Sequence, residues 1–87
     1  DYQYILNLYN NQQGKCAISG IEMETISGHN TYSKNPYIIS IDRIDSSKGY
    51  TLNNVQLTCA TCNFMKNEIK EKEFFEIIKK IYKYKNL

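Results

Sequence analysis

The chain lacks any long uninterrupted apolar run, and no basic stretch leads into an apolar one, so neither a membrane span nor a signal peptide is supported. It lacks an even complement of cysteines: three in 87 residues make a poor disulfide framework and fit a reduced, intracellular protein. Histidine is scarce, His29 being the only one. Internal repeats, low-complexity linkers and breaks in composition are missing, so residues 1–87 read as one domain. Strong net charge is missing as well, the 11 Lys and Arg being nearly balanced by 9 Asp and Glu. The chain opens at Asp1 without a methionine, as a processed piece of something longer or a separately expressed segment does.

What charge there is falls unevenly. Residues 1–63 carry four Lys/Arg against five Asp/Glu, whereas residues 64–87 carry seven Lys against four Glu, so the C-terminal third is the basic part. A lysine-bearing helix is most often a solvated face and only sometimes a phosphate-contacting one, so charge alone does not establish nucleic-acid binding. Size is more telling. A chain this short buries only about 60% of its unfolded surface, and a structural metal is a natural staple for it.

Tyr2, Ile5, Leu6 and Tyr9 recur at helical spacing ahead of Asn10, Asn11 and Gly14, which predicts a short amphipathic helix over 2–11, packed as a lid on a core formed by 15–70. Residues 14–36 are rich in Gly, Ser, Asn and Thr, with Cys16, Ile18 and Ile21 as scattered apolar anchors; they read as a turn with room for a short strand, then a loop. Residues 37–44 predict a strand that delivers Asp42 and Arg43 at its end, and 54–58 a second strand with alternating faces, the two pairing as a hairpin across a long polar loop. Helices are expected over 61–70 and 72–84. In the latter, Phe74, Phe75, Ile77, Ile78, Ile81 and Tyr82 form a broad apolar stripe that reads as core.

On this layout Asp42, at a strand end, and Asn63, on the following helix, face each other across a narrow cleft, where their oxygens can share one hard cation. Magnesium takes few protein oxygens and keeps waters and substrate phosphate, so one Asp with one Asn suits an open site and is too sparse for a closed one. Such an ion polarises a scissile phosphate and stabilises the leaving oxygen, and the fork of Arg43 suits a phosphate oxygen. Lys66, one helical turn past Asn63, falls on the same face and is expected at the phosphate too. Cys59 and Cys62 have the spacing of a metal knuckle, to which Cys16 can add a third thiolate. Read alone, Asp42 and Arg43 are more often a surface ion pair beside a turn.

Asp42-Arg43-x-Asp45-x-x-x-Gly49-Tyr50, Asn54 and Cys59-x-x-Cys62-Asn63-x-x-Lys66 together resemble the HNH, or ββα-metal, endonuclease family over residues 16–66, and within it a subgroup with tyrosine in the general-base role. The resemblance implies an α+β fold: a ββα-metal finger, meaning a two-stranded hairpin with a long loop plus a helix, flanked by N- and C-terminal helices. It implies Asp42 and Asn63 as ligands of a catalytic Mg2+ or Mn2+, Asn54 as the residue that fixes the loop, and Arg43 and Tyr50 as active-site substitutes. Arg43 stands where most of the family has its general-base histidine, and arginine cannot be deprotonated. That leaves Tyr50. A free phenol of pKa ~10 is only about one part in a thousand ionised at pH 7, so Arg43 and the bound cation are needed to favour the charged form. The other reading of Tyr50 is packing after the Gly49 turn. Where related sequences carry a second Cys-x-x-Cys, this chain has Cys16-Ala-Ile-Ser19, and serine is a poor zinc ligand. Either His29 completes a Zn2+ site with Cys16, Cys59 and Cys62, or the three cysteines are packed, reduced core residues.

The expected function is metal-dependent hydrolysis of DNA phosphodiesters, as in a restriction, homing or phage-type enzyme. With one centre per chain, cutting both strands requires a homodimer or two sequential nicks. The alternatives are a non-catalytic DNA-binding module of the same fold and a small zinc-stapled protein-interaction domain. No helix announces major-groove contacts, so the recognised base sequence is not legible.

Overall fold

A computed structural model describes residues 2–25 and 35–87. Its elements are α1 (Tyr2–Asn11), β1 (Ile39–Arg43), a single 3-10 turn (Leu52–Asn54), β2 (Val55–Cys59), α2 (Ala60–Lys66) and α3 (Glu71–Lys85), an α+β order of helix, hairpin and two helices. Among the described residues no helix is long and apolar enough to cross a membrane.

The apolar face of α1 seats Ile5, Leu8 and Tyr9 against the core. The helix stops where Gln13 and Gly14 both adopt positive φ. Gly14 is required there twice over, because a side chain at φ +71° is strained and its Cβ would stand 3.0 Å from the Tyr9 hydroxyl. Just before this turn, Gln12 clamps the helix end to β2: its Nε2 donates to the Leu57 carbonyl (2.9 Å) and its Oε1 accepts from the Leu57 amide (3.1 Å).

Strands β1 and β2 pair antiparallel with Ile39 opposite Cys59 and Asp42 opposite Gln56. An isolated hairpin is marginal in water. Here it is braced by residues 15–24, through the Ala17 amide to the Leu57 carbonyl (2.9 Å) and the Ile39 amide to the Glu24 carbonyl (2.8 Å). The buried cluster is small and sulfur-rich: Cys16, Met23, Leu57, Cys59 and Cys62, ringed by Ile5, Leu8, Tyr9, Ile18 and Ile39.

Two expectations are corrected. Helix α2 ends at Lys66 rather than near residue 70, because Asn67 turns to φ +49° and donates its amide back to the Asn63 carbonyl. The apolar stripe of α3 is not core: Phe74 is its one buried member, and Phe75, Ile77, Ile78, Ile81 and Tyr82 are 38–58% exposed. The physical reason is room. Helix α1, residues 15–24 and α2 already surround the buried cluster, so only the first turn of α3 reaches the body.

Truncating Leu57 to alanine should therefore lower unfolding free energy by about 2–5 kcal/mol, whereas Ile81→Ser should stay within about 0.5 kcal/mol. Urea denaturation of the two variants checks this contrast, and equal losses would show that the stripe is covered.

Candidate active site and thiol cluster

Asp42 lies next to the end of β1, almost fully buried, and its carboxylate is held from beneath. Among the described residues both bonds to its side chain fall on Oδ2, from Lys66 Nζ at 2.6 Å and from Gln56 Nε2 at 2.9 Å. Lys66 has no exposed surface. Its ammonium spends its three protons on Asp42, the Arg43 carbonyl (2.8 Å) and Glu71 Oε1 (3.3 Å). Gln56 closes the ring by donating to Glu71 Oε1 at 2.7 Å. A buried ammonium is tolerated only when its hydrogen-bonding capacity is met, as that of Lys66 is here.

This corrects the expected place of Lys66 at a substrate phosphate. Helical spacing does put it one turn from Asn63, but the last residue of α2 tucks under the end of β1, and its charge faces Asp42 from the protein side. Its contact is with the carboxylate, not with solvent.

Above that floor opens a cleft of about 580 Å3, lined among others by Ser40, Asp42, Arg43, Ser46, Tyr50, Asn63 and Glu68. Its size is that of a ligand cleft rather than an ion cage. Asn63 spends its amide protons on Ser40 Oγ (2.7 Å) and the Ile41 carbonyl (3.3 Å). A carbonyl only accepts, so this fixes which end of the side chain is nitrogen. Asp42 Oδ1 and Asn63 Oδ1 are thus the oxygens of this pair that none of these bonds uses, on residues lining one cleft. Arg43 donates to the Lys48 carbonyl at 3.2 Å, and its guanidinium carbon stands 5.3 Å from the centroid of the exposed Tyr50 ring.

The loop carrying Tyr50 is braced by one buried amide. Asn54 Oδ1 accepts from the Asp45 amide (2.9 Å), and its Nδ2 donates to the carbonyls of Asp45 (3.0 Å) and Gly49 (2.9 Å). At the same turn the Ser47 hydroxyl and amide donate to Asp45 Oδ1 at 2.6 and 2.9 Å. Those bonds, the hydroxyl's foremost, hold the Asp45 carboxyl below its usual range.

The three cysteines gather on the far side of α2. Their sulfurs lie within 4.8 Å of one another, and none is in a disulfide. Cys59 and Cys62 flank the β2–α2 junction, and Cys16 comes from the turn braced against β2. Burial raises the Cys16 thiol, but hydrogen bonds from Ser19, with help from the Cys59 and Ile18 backbone, bring it down to about 7. Burial pushes Cys62 up to about 12. Three sulfurs at this spacing can hold a metal ion. His29, the expected fourth ligand, lies outside the described residues.

Spacing reasoning missed Gln56, Glu71 and Ser40. Gln56 was findable, since it sits directly across the hairpin from Asp42; Glu71 comes from the next helix and had no local signal. The chain matches no known family model, no curated protein and no solved structure.

Replacing Lys66 with methionine leaves the Asp42 carboxylate buried without its cation and should cost about 3–5 kcal/mol of stability. Chemical denaturation reads this directly; a loss under about 1 kcal/mol would mean that Lys66 is no more than a surface charge.

Proposed function

We propose that the chain is an HNH-type, ββα-metal endonuclease domain that hydrolyses DNA phosphodiesters at a single divalent-ion centre, with Zn2+ as a structural ion on its thiols. The observation that carries this reading is the pair Asp42 and Asn63: each is pinned by one end of its side chain, each has an oxygen to spare, and both line one cleft with Arg43 and Tyr50. The hairpin followed by α2 supports the ββα assignment, and the sulfur cluster supports the zinc.

In this reading the oxygens of Asp42 and Asn63 hold Mg2+ or Mn2+, which when bound supplies charge stabilisation for the phosphate and the leaving oxygen. Arg43 pairs with a non-bridging phosphate oxygen. Tyr50 is the general base toward the attacking water, with the Arg43 guanidinium as a fixed positive charge beside that ring. Lys66 positions Asp42 from below, and Asn54 holds the loop that presents Tyr50. Two-strand cutting proceeds by a homodimer or by sequential nicks.

Plasmid DNA incubated with Mg2+ or Mn2+ tests the proposal. Wild type should cleave, Asn63→Ala and Asp42→Asn should not, and Tyr50→Phe should be slower by about 10²–10⁴-fold. Asparagine is preferred to alanine at residue 42 because it keeps an acceptor for the buried Lys66. Tyr50→Phe cutting at the wild-type rate removes tyrosine from the base role. DNA binding without cleavage under either ion favours the non-catalytic module, and no binding at any salt favours the interaction domain.

A further inference from the structure

We infer that Ser19 occupies the fourth corner of the thiol site, so that the metal is held by three thiolates and one hydroxyl oxygen. The inference rests on the reading of the cysteines as a zinc site and goes beyond it by naming the closing ligand.

The backbone of residues 16–20 is folded as a knuckle. The Gly20 amide donates to the Cys16 carbonyl at 2.9 Å, the Cys16 amide to the Ile21 carbonyl at 2.8 Å, and the Ser19 amide to Cys16 Sγ at 3.5 Å. Gly20 turns the chain at φ +74°. Ser19 thus stands to Cys16 at the spacing at which Cys62 stands to Cys59. The Ser19 amide, 3.5 Å from Cys16 Sγ, sets the residue against one of three sulfurs that lie within 4.8 Å of one another. It therefore sits at the sulfur cluster itself. The Ile21 amide donates to Ser19 Oγ at 3.2 Å, which orients the oxygen and leaves a second lone pair.

A hydroxyl in that place is a neutral, hard donor among soft anionic ones. Zinc tolerates oxygen but prefers sulfur and nitrogen. The ion is accordingly held more weakly than by four thiolates, and the oxygen corner is where it exchanges. The fold has kept the turn that a fourth cysteine would need, so the substitution that restores four sulfurs needs no backbone change.

The test uses the full, reduced chain and measures Co2+ spectra and Zn2+ affinity against a competing chelator. Wild type should develop the sulfur-to-cobalt transition of three thiolates. Ser19→Cys should strengthen that transition by about a third, as a fourth sulfur joins, and tighten Zn2+ by about tenfold or more. Ser19→Ala should weaken it, and His29→Ala should leave both readouts unchanged. The assignment is overturned if His29→Ala loosens Zn2+ while Ser19→Cys adds no sulfur transition. A wild type that develops no sulfur-to-cobalt transition overturns the zinc reading, and this inference with it.

Discussion

The buried contact between the Lys66 ammonium and the Asp42 carboxylate ties this small molecule together. It joins the last residue of α2 to the end of β1, and through Glu71 and Gln56 it reaches α3 and β2. Taking two such charges out of water costs several kcal/mol each, and the cost is offset only by close geometry and full hydrogen bonding. Lys66 meets that condition with three acceptors. The result is a carboxylate whose orientation is set from inside the protein before any ligand arrives, which is how a site gains precision from rigid elements rather than from loops.

The opposite side of α2 relies on a different device. An ordinary core of this size would be filled by aliphatic side chains, yet three of the five residues in the buried cluster are cysteines. A metal on those sulfurs would fasten β2, the start of α2 and the 16–20 turn in one place, doing for a short chain what apolar bulk does for a longer one. Because Cys62 and Asn63 are neighbours, the same helical turn serves the sulfur cluster on one side and the cleft on the other.

Much of this was legible beforehand, and the failures have a common cause. Periodicity located α1 and the hairpin, since both depend on local patterns, and strand, loop, strand and helix order put Asp42 and Asn63 on one cleft, which Arg43 and Tyr50 also line. The role of Asn54 as a brace was read from the family resemblance alone, and its amide does bond both Asp45 and Gly49. What could not be read was which side of an element another element covers. Lys66 looked solvent-facing because spacing gives a helix face but not its neighbour, and the α3 stripe looked like core because amphipathicity says that a face avoids water without saying what meets it. Ser19 was dismissed on chemistry alone; its place beside the sulfur cluster belongs to tertiary structure.

The central claim, that one divalent ion is shared by Asp42 and Asn63, is tested most directly by a manganese-soaked crystal and its anomalous map. The account predicts a peak in the cleft, within about 2.0–2.2 Å of Asp42 Oδ1 and Asn63 Oδ1, with Lys66 still bound to Asp42 Oδ2. Manganese seated elsewhere, or a cleft in which those two oxygens are too far apart to reach one ion, would contradict it.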